Sequence, residues 1–218
     1  MLRFVVPVLF GLIGAGVLVY LGLWQLDRLG QKEGQLAEIA ARIAAAPVAL
    51  PAAPDPLSDR YLPVVAEGVF TGDSLRVLVS QKEIGAGYRI VEVFETGARR
   101  VLVDRGFVRV DAAVTLAARG AVVTGNLHWP DEVDSYTPAP EGELWFARDV
   151  PAMAQVLGAE PVLIVARSDT GDGIAPLPVD TANIPNNHFG YAVQWFGLAV
   201  VWLGMTVFYL WRIRRRTV

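Results

Sequence analysis

For binding a metal, or for moving a proton near neutral pH, this chain offers two histidines, His128 and His188, and no cysteine. His188 has the more telling setting. It lies in Ile184-Pro185-Asn186-Asn187-His188-Phe189-Gly190-Tyr191-Ala192-Val193-Gln194-Trp195-Phe196, where a polar loop enters a long uncharged run. A neutral imidazole there can bind an iron such as that of a heme, and a flanking arginine can pair with a propionate. A helix cap or a contact to lipid headgroups is the other reading of the same histidine. His128 adjoins Trp129-Pro130 at the end of a strand-like stretch, where a packed or exposed loop histidine is the default. The lack of cysteine excludes a disulfide framework, a thiol nucleophile, a CxxC redox pair and any thiolate metal site.

The element that must position His188 is the run from Phe189 to Trp211, which carries no charge. A second such run, Phe4 to Leu26, ends at Asp27 and Arg28. Each has 23 residues, against the roughly 20 that span a bilayer as a helix. The first outlasts a signal-peptide core and no small-x-small cleavage site follows, so it reads as a retained span. Between the runs lie all 22 acidic residues and 14 of the 19 basic ones, a net of −8, whereas the two tails carry +5. Arg212, Arg214, Arg215 and Arg216 close the second run, and nothing basic lies between Ser168 and His188. The positive-inside rule then puts the carboxyl end in the cytoplasm. Two spans bring both termini to that face, and the intervening 162 residues are exported.

Helix-forming composition from Asp27 to Ala46 continues the first helix beyond the membrane, and Pro47, Pro51, Pro54 and Pro56 end it as a stiff linker. Short β-branched runs follow: Leu62 to Phe70, Leu75 to Ser80, Tyr88 to Phe94, Arg100 to Val110, and Ala121 to His128. Gly72-Asp73 and Gly97-Ala98 read as tight turns and Gly85-Ala86-Gly87 as a looser one, and such spacing favours antiparallel hairpins. Asp149, Pro151 and Gly158 frame a short helix from Asp149 to Leu157, and Pro161 to Ala166 makes a last strand. The expected fold is an α+β membrane protein. Amino- and carboxyl-terminal transmembrane helices flank an extracytoplasmic antiparallel β domain, able to curl into a barrel, with one short helix. The expected segments are 1–26, first span; 27–60, helical extension and Pro-rich linker; 61–168, β-rich domain; 169–188, return linker; 189–211, second span; and 212–218, basic cytoplasmic tail.

Catalytic signatures are poor. Asp169-Thr170-Gly171 follows a strand as the aspartic-protease triplet does, but it stands at the end of its domain and reads as a turn. Gly85-Ala86-Gly87 lacks the spacing of a phosphate loop, and there is no nucleophile elbow, HExxH or Walker sequence. No catalytic residue and no enzyme activity are expected. The two spans instead share a pattern. Gly11, Ala15, Leu18, Gly22 and Gln25 step by four and three, as do Gly190, Gln194, Gly197, Val201 and Gly204. These seams suit helix packing, with Gly22 and Gln25 facing Gly190 and Gln194, or docking on another membrane protein. Glycine is also simply frequent in transmembrane helices. His188, Tyr191, Trp195 and Trp202 form a separate aromatic face, for which an interfacial belt is the commoner explanation.

Leu21-Gly22-Leu23-Trp24-Gln25-Leu26-Asp27-Arg28-Leu29 with Lys32, and Pro185 through Phe196, resemble the two terminal signatures of the Surfeit locus family of cytochrome c oxidase assembly factors. Between them Gly68-Val69-Phe70, Gly87-Tyr88, Val101-Leu102-Val103-Asp104-Arg105-Gly106-Phe107-Val108 and Gly125-Asn126-Leu127 fall in the family's order, so the resemblance spans nearly the whole chain. The central motif departs from it: the family usually has asparagine and tryptophan where Asp104 and Phe107 stand, and proline at Arg109.

The resemblance implies an assembly factor for heme-copper oxidase that hands over or stabilises heme a for the catalytic subunit. His188 would be the iron ligand, and the partners would be the oxidase catalytic subunit, the heme a biosynthesis proteins and the membrane, with no nucleic acid. Arg28 would take a propionate while Trp24, Tyr191 and Trp195 wall the porphyrin. The amino terminus, without an arginine-rich presequence, favours the bacterial inner membrane. A cofactor-free scaffold holding an oxidase subunit through the seams and the external sheet is the alternative function.

Overall fold

The computed structural model describes residues 2–81, 84–182 and 184–215, without the side chains of Leu2 and Arg3. It divides into two compact units, one made of the chain up to Glu38 with the chain from Thr181, the other running from Ile39 to Asp180.

The first unit is a pair of helices. Helix α1, Leu2–Ala44, is continuous over 43 residues, about 65 Å at 1.5 Å per residue. Its apolar stretch and its charged extension thus form one rod, as the proline-free composition after Leu26 predicts. Helix α3, the last helix of the chain, runs His188–Arg215, 28 residues. Both are long and apolar enough to cross a membrane, with mean hydropathies of 2.4 and 1.6 and most of their side chains exposed to the surroundings. A helix apolar all round and buried against so little protein is made for lipid. Arg212, Arg214 and Arg215 lie in the last turn of α3, so the basic tail begins as helix. Arg216 lies outside the described residues.

The second unit is a seven-stranded mixed sheet with one short helix. The strands are β1, Val48–Ala49; β2, Pro63–Gln81; β3, Gly85–Thr96; β4, Arg99–Arg109; β5, Arg119–Leu127; β6, Leu144–Trp145; and β7, Leu163–Ala166. The long ones pair antiparallel: β2 with β3, β3 with β4, and the first half of β2 with β5. The short ones add parallel pairs, β1 and β6 each on β2, and β7 on β4. Strand β7 also pairs antiparallel with β5, so the ladder β2–β3–β4–β7–β5 returns to β2. The parallel pair β4–β7 depends on a long excursion. More than 50 residues, including α2, Val150–Leu157, separate the two strands, enough for a crossover that hairpin spacing cannot supply.

Three turns expected from glycines resolve differently. Gly97 (φ 59) closes the β3–β4 hairpin as predicted. Gly72-Asp73, expected as a turn between two strands, is a bulge inside the continuous β2, where the register with β3 shifts between Phe70 and Ser74. Gly85 to Gly87 belong to β3 itself, and the turn moves upstream to where Ile84 N–H donates to the Gln81 carbonyl, next to residues 82 and 83 outside the described residues.

Helix α2 is built as its sequence demands. The Asp149 side chain accepts from Ala152 N–H at 3.1 Å, Pro151 sits in the first turn, and Gly158 ends it in the left-handed conformation. It covers an apolar cluster containing Leu75, Val91, Val93, Leu102, Met153 and Leu163. Alternate residues of the same strands, Phe94, Val101 and Val103, join Val64, Phe70 and Ile164 in a second cluster on the other face. Strand β4 is therefore buried on both faces, which explains its near-continuous apolar run.

Candidate functional site

Within the helical unit the inward face of α1 carries Gly11, Gly14, Ala15, Gly22 and Gln25, and that of α3 carries His188, Ala192, Phe196, Ala199, Trp202 and Thr206. Large side chains of α3 fill the places that glycines of α1 leave open. A Cβ on Gly22 would stand 2.6 Å from the Phe196 ring, one on Gly14 2.4 Å from the Trp202 indole, and one on Gly11 2.3 Å from Thr206. The close approach also lets Trp202 Nε1–H donate to the Gly11 carbonyl at 3.0 Å, and the Trp202 ring lies 5.2 Å from Phe10.

The expected seam on the second helix is corrected. Gly190 and Gln194, like Gly197, Val201 and Gly204, are on the exposed side of α3, and a Cβ at any of its three glycines would meet nothing within 4 Å. Gly22 therefore faces Phe196, and Gln25 faces His188. Small residues of α1 thus pack against large ones of α3, and of the aromatic set His188, Tyr191, Trp195 and Trp202 it is His188 and Trp202 that face α1, while Tyr191 is exposed.

At the start of α3, His188 Nδ1 lies 2.8 Å from Gln25 Oε1. An amide oxygen only accepts, so this contact is the one made by the neutral tautomer that carries its proton on Nδ1 and leaves the lone pair to Nε2. Among the described residues Nε2 has no hydrogen bond. Arg28 is engaged with its own helix, 5.5 Å from the Trp24 ring centre and donating to Gln31 Oε1 at 2.8 Å. It is about 4.5 Å further along the helix axis than Gln25. Trp24 and Tyr191 are exposed, and Trp195 is half-buried. The expected site residues thus gather at one end of the helix pair, with Gln25 and His188 in direct contact and Arg28 held by Trp24 and Gln31. Among the described residues there is no cluster of three or more histidine, aspartate or glutamate side chains able to hold a metal ion.

The second unit contains a group of charges that reading by motif missed. Arg105 is buried, donating to Glu92 and to Asp172 at 2.6 Å each and to the Thr170 hydroxyl and carbonyl at 2.9 Å, with its guanidinium 4.5 Å from the Phe70 ring centre. Glu92 in turn accepts from Gly72 N–H in the bulge of β2 at 3.0 Å. On the preceding residue of β4, Asp104 binds Arg89 at 2.6 Å and Arg148 at 3.0 Å, and Arg148 also binds Glu132. The signal was present: two adjacent ionisable residues inside Val101-Leu102-Val103-Asp104-Arg105-Gly106-Phe107-Val108 cannot both face water in a strand buried on both sides. Asp169-Thr170-Gly171 is the turn expected, with Gly171 N–H donating to Asp169 Oδ1 at 2.6 Å, and its backbone is what Arg105 grips. Gly106 (φ 121) then passes so close that a Cβ would sit 2.1 Å from the Ala175 carbonyl oxygen, while Phe107 and Ala175 exchange backbone hydrogen bonds.

Asp172 and Glu132 are held ionised. The Arg105 hydrogen bond keeps Asp172 below the usual carboxylate range, and for Glu132 burial pushes upward but the Arg148 bonds and charge outweigh it. His128 stacks on Tyr61 at 5.3 Å, and its Nδ1 is buried without a partner among the described residues. Burial, then the positive charges of Arg148 and Arg60, lowers its pKa to about 4. It is a neutral packed histidine.

Two helices long and apolar enough to cross a membrane, joined through a mixed β domain, define a membrane protein that carries one globular unit. The SURF1 family model matches residues 12–200. The chain is 29% identical to human Surfeit locus protein 1 over 203 residues, covering 80% of this chain and 68% of that one. It is 31% identical to a SURF1-like protein of Monosiga brevicollis, covering 80% and 76%, and 30% identical to one of Rickettsia felis, covering 84% and 88%. This chain belongs to the SURF1 family.

Proposed function

We propose that this protein is an assembly factor for heme-copper cytochrome c oxidase and that it stabilises or hands over heme a for the catalytic subunit. Family membership supports the assembly role, and the observation that carries the heme reading is the Gln25–His188 pair. The donor set fits a ligand to heme iron. His188 has one ring nitrogen held and the other without a hydrogen bond among the described residues, at the start of a membrane-type helix where an ionisable side chain is costly without a purpose. A heme bound there would supply iron for the imidazole and carboxylates for a cation. Arg28, which now donates to Gln31, would be the cation for a propionate, and Trp24, Tyr191 and Trp195 would offer apolar walls.

In this reading the chain resides in the bacterial inner membrane with both termini cytoplasmic and the β domain periplasmic, because arginines close α3. The oxidase catalytic subunit and the heme a biosynthesis proteins are its partners. The test is complementation of a strain lacking the protein: His188→Ala should leave the oxidase short of heme a while the variant accumulates normally in the membrane. Parental heme a content and oxidase activity would sink the proposal. A cofactor-free scaffold is the second reading, favoured by the open outer face of α3 at Gly190, Gly197 and Gly204, which a partner helix could approach closely. It gains if His188→Ala impairs assembly although the parent never carries heme.

A further inference from the structure

The helix pairing does more than bring His188 to a rim; it fixes which nitrogen that histidine can offer. We propose that Gln25 is a positioning residue of the site, its amide oxygen holding the Nδ1 proton so that His188 presents an Nε2 lone pair. This rests on the iron-ligand reading of His188 and deepens it. Gln25 is the only polar amide within the uncharged run of α1 from Phe4 to Leu26. An amide in such surroundings is expensive unless hydrogen-bonded, so the 2.8 Å contact to His188 Nδ1 is where its bonding capacity is spent. The contact is locked by register. Three residues before Gln25, Gly22 seats the Phe196 ring, and deeper still Gly14 seats Trp202 and Gly11 seats Thr206, so neither helix can slide or turn without a clash.

A histidine free in solution prefers its proton on Nε2, the nitrogen that is sterically better placed to reach an iron. Moving that proton to Nδ1 frees the better-placed lone pair, and a ligating histidine regularly donates its other N–H in this way. The acceptor also makes the imidazole a stronger donor and holds the ring plane. Glu or Asp would do this with a charge in the bilayer; glutamine does it without one.

The first test needs no heme. The full chain is labelled with ¹⁵N-histidine in lipid nanodiscs and the imidazole nitrogens are read by NMR, with His128→Gln assigning the only other histidine. His188 should show a protonated Nδ1 and an unprotonated Nε2, and Gln25→Leu should return the proton to Nε2. With heme loaded, Gln25→Leu should weaken retention about 10–100-fold and raise the iron midpoint potential, whereas Gln25→Glu, which keeps an acceptor, should retain heme and lower it. Parent protein with its proton on Nε2, or equal shifts and potentials in the leucine and glutamate variants, overturns the inference. Should His188→Ala keep heme while the parent tautomer is as stated, the iron-ligand reading fails and the positioning of the ring stands.

Discussion

Replacing Arg105 with methionine removes the central cation of the β domain while keeping much of its bulk. Arg105 is 1% exposed and Glu92 is fully buried, so the substitution leaves the Glu92 carboxylate facing an apolar side chain at the place where a guanidinium stood 2.6 Å away. Breaking one side of a buried pair in this way costs about 3–5 kcal/mol. The bonds to Thr170 and Asp172 that hold the segment after β7 go with it. Against a typical stability of about 5–15 kcal/mol, that is a large share. Urea unfolding of the full chain in detergent, followed by hydrogen exchange of β3 and β4 amides, reads the loss. The double variant Arg105→Met/Glu92→Leu removes both charges and should recover at least half of it, because the penalty lies in the orphaned carboxylate. Parental stability in the single variant, or a double variant no better than the single one, would refute the account of the buried charges.

Lowering pH should cost stability through His128. Its native pKa of about 4 lies below the unfolded value of 6.5, so the unfolded chain takes up a proton first as pH falls, and stability is complete above 6.5 and declines toward 4. The loss between pH 7 and pH 5 comes to at most roughly 2 kcal/mol, and His128→Gln should flatten that slope in urea titrations at the two pH values. Gly106→Ala should destabilise the β domain by about 1–3 kcal/mol from backbone strain alone, with added exchange of the amides around Ala175, whose carbonyl the new Cβ meets; unchanged unfolding would contradict the close approach at Gly106. In the cysteine-free background, Gly22→Cys with Phe196→Cys should crosslink efficiently and Gly22→Cys with Gln194→Cys should not, as read by mobility after proteolytic cleavage of the central domain. The reverse pattern would restore the seam expected from glycine spacing.

What was legible in the sequence was what local chemistry dictates. The two uncharged runs, the proline-free extension of the first, and the Asp149, Pro151 and Gly158 signals of α2 need only nearest neighbours to be read. The inward face of α1 was legible too, since one glutamine among small residues in an apolar run has few reasons to exist. Its partner face was not. Gly190, Gln194, Gly197, Val201 and Gly204 step by four and three as regularly as the seam of α1, and only the three-dimensional fit tells that Phe196, Trp202 and Thr206 fill the gaps. Gly72 hid a bulge because a glycine at positive φ serves a turn and a bulge equally well. Asp104 and Arg105 take no role from their motif alone, since their partners Glu92, Arg89, Arg148 and Asp172 are spread from 15 residues upstream to 67 downstream and no spacing rule reaches across that distance.

The account stands or falls on His188 as the group that holds heme iron. The most direct measurement is the Soret absorption, per mole of protein, of the full chain purified from cells that make heme a, with His188→Ala and His128→Ala beside the parent. The account predicts a heme band in the parent and in His128→Ala, and its loss in His188→Ala. A His188→Ala protein with the parent's band and ligation spectrum would contradict it.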